Sequence, residues 1–99
     1  MRYAWLVTSN KTYLPSLRAM LNALEYYGYD SSLDVHVIHD TDITEWLEKI
    51  REDFSFRIVA VPLAPLCQEG HSLPHNLIYA KYRHAWNIAG RYDAVMHID

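Results

Sequence analysis

Four short apolar runs in this 99-residue chain alternate with three stretches of helical periodicity, and that alternation restricts the fold more than any other feature. The runs occupy residues 3–8, 35–39, 56–61 and 94–99, and the third is rich in the β-branched and aromatic residues that favour strand. Strands separated by helices need crossover connections, which are right-handed and leave the strands parallel with helices on both faces. The expected architecture is a Rossmann-like three-layer α/β/α domain over residues 1–99, with a mostly parallel four-stranded sheet.

The helices declare themselves by spacing. Leu14, Leu17, Leu21 and Leu24 recur every three or four residues, with Pro15 in a tolerant first turn and Gly28 as terminator. In the second helix Asp42 and Glu45 resemble a capping box, and Ile43, Trp46, Leu47 and Ile50 form its apolar stripe. Residues 62–74 hold three prolines and Gly70, so a long irregular loop is expected there. Ile78, Tyr82, Ala85 and Ala89 are expected to share the buried face of the third helix, which Gly90 ends.

Composition narrows the function. An apolar fraction of 51% supports a packed core rather than disorder. The net charge is -3 and the cations are scattered, which argues against nucleic acid as a partner, since that needs a basic patch. Cys67 is the only cysteine, so no internal disulfide can form and a reducing compartment is expected. The first apolar run is far shorter than the roughly twenty residues of a membrane span. With no membrane segment and no signal-peptide layout, a cytoplasmic setting is expected.

In a parallel sheet, ligands bind beyond the carboxyl ends of the strands. Thr8, Ser9 and Asn10 fall there after the first run, Asp40 after the second and Asp99 at the end of the fourth. Each also fits strand termination or helix capping, Asn10 and Thr12 above all. Neither G-x-G-x-x-G nor G-x-x-x-x-G-K-[ST] occurs, so no glycine cradle for phosphate exists. Side chains and a metal would have to handle a nucleotide's charge. Lys81 and Arg83 are the candidate cations, with a solvated helix face as the other reading. Cys67, His71, His75 and His84 lack the tight ligand pairs of structural zinc sites, which disfavours zinc. Cys67 carries no sign of activation. His36, His39 and His97 lie in strand-like runs, where packed or hydrogen-bonded imidazoles are expected.

Together these positions resemble the amino-terminal half of a GT-A-fold glycosyltransferase, the nucleotide-diphosphosugar transferases. Thr8-Ser9-Asn10-Lys11-Thr12-Tyr13 is similar to the T-x-N-x-x-Y turn of glycogenin-like members. Lys81-Tyr82-Arg83 followed by Arg91-Tyr92-Asp93-Ala94-Val95-Met96-His97-Ile98-Asp99 is similar to their passage from a basic helix into a "YD-hydrophobic-DxD" strand. The likeness spans the chain in element order, while its specific residues sit at the two ends. It implies a nucleotide-diphosphosugar donor, UDP-linked first, and an unknown acceptor. Thr8, Ser9, Asn10 and Tyr13 would contact the nucleotide, Asp40 its base or ribose, and Lys81 or Arg83 the base or diphosphate. Asp99 would be the first DxD carboxylate, serving ribose and a Mn²⁺ or Mg²⁺ ion. The second carboxylate lies beyond the sequence, so the 99 residues alone are expected to be inactive.

A non-enzymatic reading stands beside this one. Tyr26, Tyr27 and Tyr29 cluster after the first helix, where they would either close its end against the sheet or anchor a protein partner. A receiver-like domain shares the element order, but its acidic cluster should follow the first strand, where Thr8-Ser9-Asn10 stands.

Overall fold

A computed structural model of the chain describes residues 1–98. Strand β1 (Tyr3–Ser9) leads to helix α1 (Leu14–Tyr26), β2 (Leu33–His39), α2 (Thr44–Ile50), β3 (Arg57–Pro62), α3 (Leu73–Ile88) and β4 (Ala94–His97). The strands are all parallel, in the order β3-β2-β1-β4. This is the expected α/β fold with its three layers.

Period-two alternation along the strands divides two cores. Val7, Leu33, Val35, Val37 and Ile58 pack under Leu17, Leu21 and Leu24 of α1, and under Leu47 and Ile50 of α2. Ala4, Leu6, Ile38 and Val61 pack on the other face against Ala80 and Ile88 of α3. The leucine ladder of α1 and the stripe of α2 therefore face the sheet as their spacing requires. Gly28, at φ +87°, ends the α1 turn in the left-handed region, where a β-carbon is strained.

Four local expectations change. Asp42 receives the amide of Thr44 on Oδ1 at 3.1 Å, an Asx turn one residue before Ile43, the residue at the cap of α2. The 62–74 stretch is partly helical: Ala64–Leu66 forms one 3₁₀ turn, and α3 starts at Leu73 behind the Ser72 cap. Pro65 and Pro74 sit in first turns, where a missing N–H leaves nothing unpaired.

The buried face of α3 is rotated from the expected one. Asn76, Ala80 and Ile88 are buried and Leu77, His84 and Ala85 partly so, whereas Ile78 is 64% and Tyr82 67% exposed. Polar Asn76 goes inward because it is satisfied: its Oδ1 accepts from the Gln68 amide at 2.7 Å, and its Nδ2 donates to the carbonyls of Gln68 and His71. Strand β4 is exposed along most of its length, not buried, and His97 is exposed beside Tyr82 with ring centroids 5.0 Å apart. It lies at the sheet edge and pairs with β1 alone.

Candidate functional site

The chain runs from β1 outward to β2 and β3, then crosses back over the α3 face to β4 on the other side of β1. The topological switch point therefore lies between β1 and β4, where open α/β sheets leave a crevice at the carboxyl ends. Two cavities meet there at Thr8. One, of about 280 Å³, lies on the α1 side and is lined by Thr8, Ser9, Tyr13, Ser16, Met20 and Ile98 among others. The other, of about 240 Å³, lies on the α3 side between Thr8 and His97 of the sheet and Leu77, Ile78, Lys81 and Tyr82 of the helix.

The structure brings Thr8, Ser9, Tyr13 and Lys81 to this crevice. The Ser9 hydroxyl donates to the Asn10 carbonyl at 3.2 Å. The Lys81 ammonium donates to the Ile98 carbonyl at 3.1 Å, which joins α3 to the residues after β4. Asn10 plays a structural part, because its Oδ1 accepts from the amides of Thr12 and Tyr13 at 2.9 and 3.2 Å and so caps the Lys11–Tyr13 turn. Asp40 is exposed at the carboxyl end of β2, one strand away. Arg83 is also exposed and donates to the Tyr79 hydroxyl at 3.1 Å, outside both cavity walls. Asp99 lies outside the described residues.

Among the described residues no group of three or more His, Cys, Asp or Glu side chains is placed to hold a metal ion. Asp99, the carboxylate expected to serve Mn²⁺ or Mg²⁺, is not among these residues. The histidines weighed for zinc have other partners. The His71 and His75 rings stack at 4.2 Å, His75 Nε2 lies 2.8 Å from Gln68 Oε1, and the Cys67 thiol donates to the Leu63 carbonyl. His39 holds Nδ1 2.6 Å from the Thr41 carbonyl, so that nitrogen carries the proton. Among the described residues no helix is long and apolar enough to cross a membrane.

Sequence reasoning missed Tyr82 and His97 as cavity walls, having assigned both to packing. It also missed a buried polar chain at the opposite end of the sheet. Asp34 is 1% exposed, and its Oδ2 accepts from Arg2 Nη2 and from the Tyr92 hydroxyl, each at 2.6 Å. Tyr92 has one hydroxyl proton, and its hydrogen bond goes to the carboxylate. His36 Nε2, 2.9 Å from the Tyr92 oxygen, must then be the donor, which leaves His36 Nδ1 to accept from His84 Nε2 at 2.9 Å. The donors thus point one way, from α3 through β2 and the turn before β4 to the carboxylate.

Burial first, then the neighbouring His84, hold His36 down to about 4, below its usual 6.5, with Arg91 and Arg57 acting in the same sense and Asp34 opposing them. Burial and Arg91 lower His84 as well. Burial and the bond to Asp34 raise Tyr92. Both imidazoles are therefore neutral at pH 7. The signal in the sequence was Leu33-Asp34-Val35-His36-Val37-Ile38-His39: an acid and a histidine two apart on one face of an otherwise apolar strand must find partners if that strand is buried.

Comparison of the chain with family models, with curated proteins and with solved structures gives no significant match.

Proposed function

We propose that this chain is the nucleotide-binding half of a GT-A-type glycosyltransferase, which takes a nucleotide-diphosphosugar, UDP-linked first, and passes the sugar to an acceptor. The observation that carries the reading is the crevice between β1 and β4, where two cavities meet at Thr8 beside Ser9, Tyr13 and Lys81. The Thr8-to-Tyr13 resemblance falls on one wall of that crevice, and the Lys81-to-Arg83 resemblance reaches the other through Lys81.

Physical roles follow from placement. The exposed ring of Tyr82 offers a base a stacking surface. Thr8, Ser9 and Tyr13 supply hydroxyls, and Lys81 brings positive charge to the wall facing Thr8. Asp40, one strand over, suits the base or ribose, and Arg83 would have to turn from Tyr79 to reach a diphosphate. Asn10 serves by shaping the turn. Mn²⁺ or Mg²⁺ enters this reading through Asp99 alone, and a cytoplasmic setting fits the single cysteine. A thermal-shift comparison of UDP, GDP and CMP with Mn²⁺ tests the reading: a rise in melting temperature with one nucleotide supports it, and none with any counts against it.

A second reading has one observation in its favour. Tyr26 and Tyr27 are 83% and 77% exposed, edge to face at 5.2 Å, and do not close the end of α1; only Tyr29 packs inward, on Trp5. Such a pair can anchor a protein interface, and concentration-dependent association without a nucleotide response would favour it.

A further inference from the structure

We propose that the His84–His36–Tyr92–Asp34 chain is an acid-released latch that seats α3 on the sheet and so controls the width of the crevice beside Thr8. The geometry gives the latch its direction. His84 is the only member on α3, and its hydrogen bond to His36 crosses the layer between helix and sheet. The same helix carries Leu77, Ile78, Lys81 and Tyr82 on the crevice wall. If α3 lifts, that wall moves with it.

The proton count sets the response. A first proton on His84 Nδ1 leaves its Nε2–H free to donate, so the link to His36 survives. A second proton, on His36 Nδ1, removes the acceptor and sets two imidazolium ions against each other across 2.9 Å. Every packed element bears on His36. His84 faces it from α3, Arg57 from β3, and Arg91 and Tyr92 from the segment before β4. Asp34 lies on its own strand, and Leu6 is its uncharged neighbour on β1. The one carboxylate is already engaged by Arg2, with Arg57 Nε 4.0 Å away. Asp34 alone favours a charge on His36, and burial, His84, Arg91 and Arg57 together outweigh it.

The sign follows. A released His36 takes its proton near pH 6.5 and a latched one near 4, with His84 lowered in the same sense, so the latch holds above about 6.5 and weakens as the pH falls toward 4. The latch does not depend on what the crevice binds.

Amide hydrogen exchange of the 99-residue chain, read as protection factors from pH 7 to 4.5, tests it. We expect α3 amides to lose roughly 100-fold in protection over that range and to stay less protected than β1 and β2 amides throughout, with a pH slope steeper than one proton. His84→Gln keeps an amide donor for His36 but takes no proton, so its α3 slope should not exceed one. Equal protection of helix and sheet amides at every pH, or a His84→Gln slope equal to that of the unaltered chain, overturns the proposal. Should His84→Gln not fold, nitrogen-15 shifts of the unaltered chain decide. Neutral Nε2–H tautomers of both His36 and His84 at pH 7 support the latch, and any other protonation pattern contradicts it.

Discussion

The Tyr92 hydroxyl donates a hydrogen bond to Asp34 Oδ2 across 2.6 Å, tying the turn before β4 to the start of β2. The contact sits under Arg2, whose guanidinium is 5.7 Å from the Tyr92 ring centroid and 2.6 Å from the same carboxylate oxygen. Tyr92→Phe would leave Asp34 with one strong donor and the His36 Nε2–H with no acceptor. A loss of about 1–3 kcal/mol in urea-denaturation stability is expected, the cost of unpaired buried polar groups. A double-mutant cycle of Tyr92→Phe with Asp34→Asn should show coupling of about 0.5–3 kcal/mol, and simple additivity would mean the two groups do not share a network.

Stability should fall on mild acidification. His36 is held at about 4 when folded and titrates near its usual 6.5 when unfolded, so the unfolded chain binds its proton first. The stabilisation is complete above about pH 6.5 and is lost as the pH falls toward 4, by about 3 kcal/mol in all. Glu25, Asp30 and Asp42 are also lowered, by hydrogen bonds from Ser55, Ser32 and Thr44 respectively, so their contributions disappear at lower pH, beneath the usual carboxylate range. Urea midpoints at pH 7, 5.5 and 4.5 isolate the histidine window, and a further midpoint at about pH 3 reaches the carboxylate one. A flat profile from 7 to 4.5 would contradict the neutral, buried state of His36.

Helix α3 offers a controlled comparison of one substitution at two sites. Ile88 is 1% exposed and Ile78 is 64% exposed. Ile88→Ala should cost about 2–5 kcal/mol through lost burial and a residual cavity. Ile78→Ala, on the crevice wall, should stay within about 0.5 kcal/mol. A larger cost at Ile78 than at Ile88 would mean that α3 packs through the face its apolar spacing first suggested.

That contrast explains what was legible in the chain. The fold class, the α1 leucine ladder and the α2 stripe could be read directly, because there apolar spacing and buried face coincide. On α3 they do not: Asn76 and His84 turn inward to specific partners, while Ile78 and Tyr82 turn out to line a cavity. Periodicity counts hydrophobicity and cannot see a partner 48 residues away, as His36 is for His84. Thr8 and Ser9 were legible at a strand end because a parallel sheet exposes its carboxyl ends, whereas Tyr13 entered only through the resemblance. Asp34 was not, since a carboxylate in a strand reads as surface until Arg2 and Tyr92 are brought beside it.

Asn10 gives a clean separation of scaffold from ligand contact. Asn10→Ser preserves a capping oxygen for the Thr12 and Tyr13 amides without adding charge and should leave stability and any nucleotide affinity close to unchanged. Asn10→Ala removes the cap and should cost about 1 kcal/mol in stability. A large affinity loss in Asn10→Ser at full stability would show that Asn10 contacts ligand directly.

Isothermal titration of UDP with Mn²⁺ into the chain, compared with Thr8→Val, tests the central claim most directly. Thr8 lines both cavities, and valine keeps its shape while deleting the hydroxyl. Binding at the crevice predicts a saturable heat for the unaltered chain and an affinity several-fold weaker for Thr8→Val. Absence of heat with UDP, GDP and CMP from a folded chain, or a Thr8→Val titration identical to the unaltered one, would contradict nucleotide binding between β1 and β4.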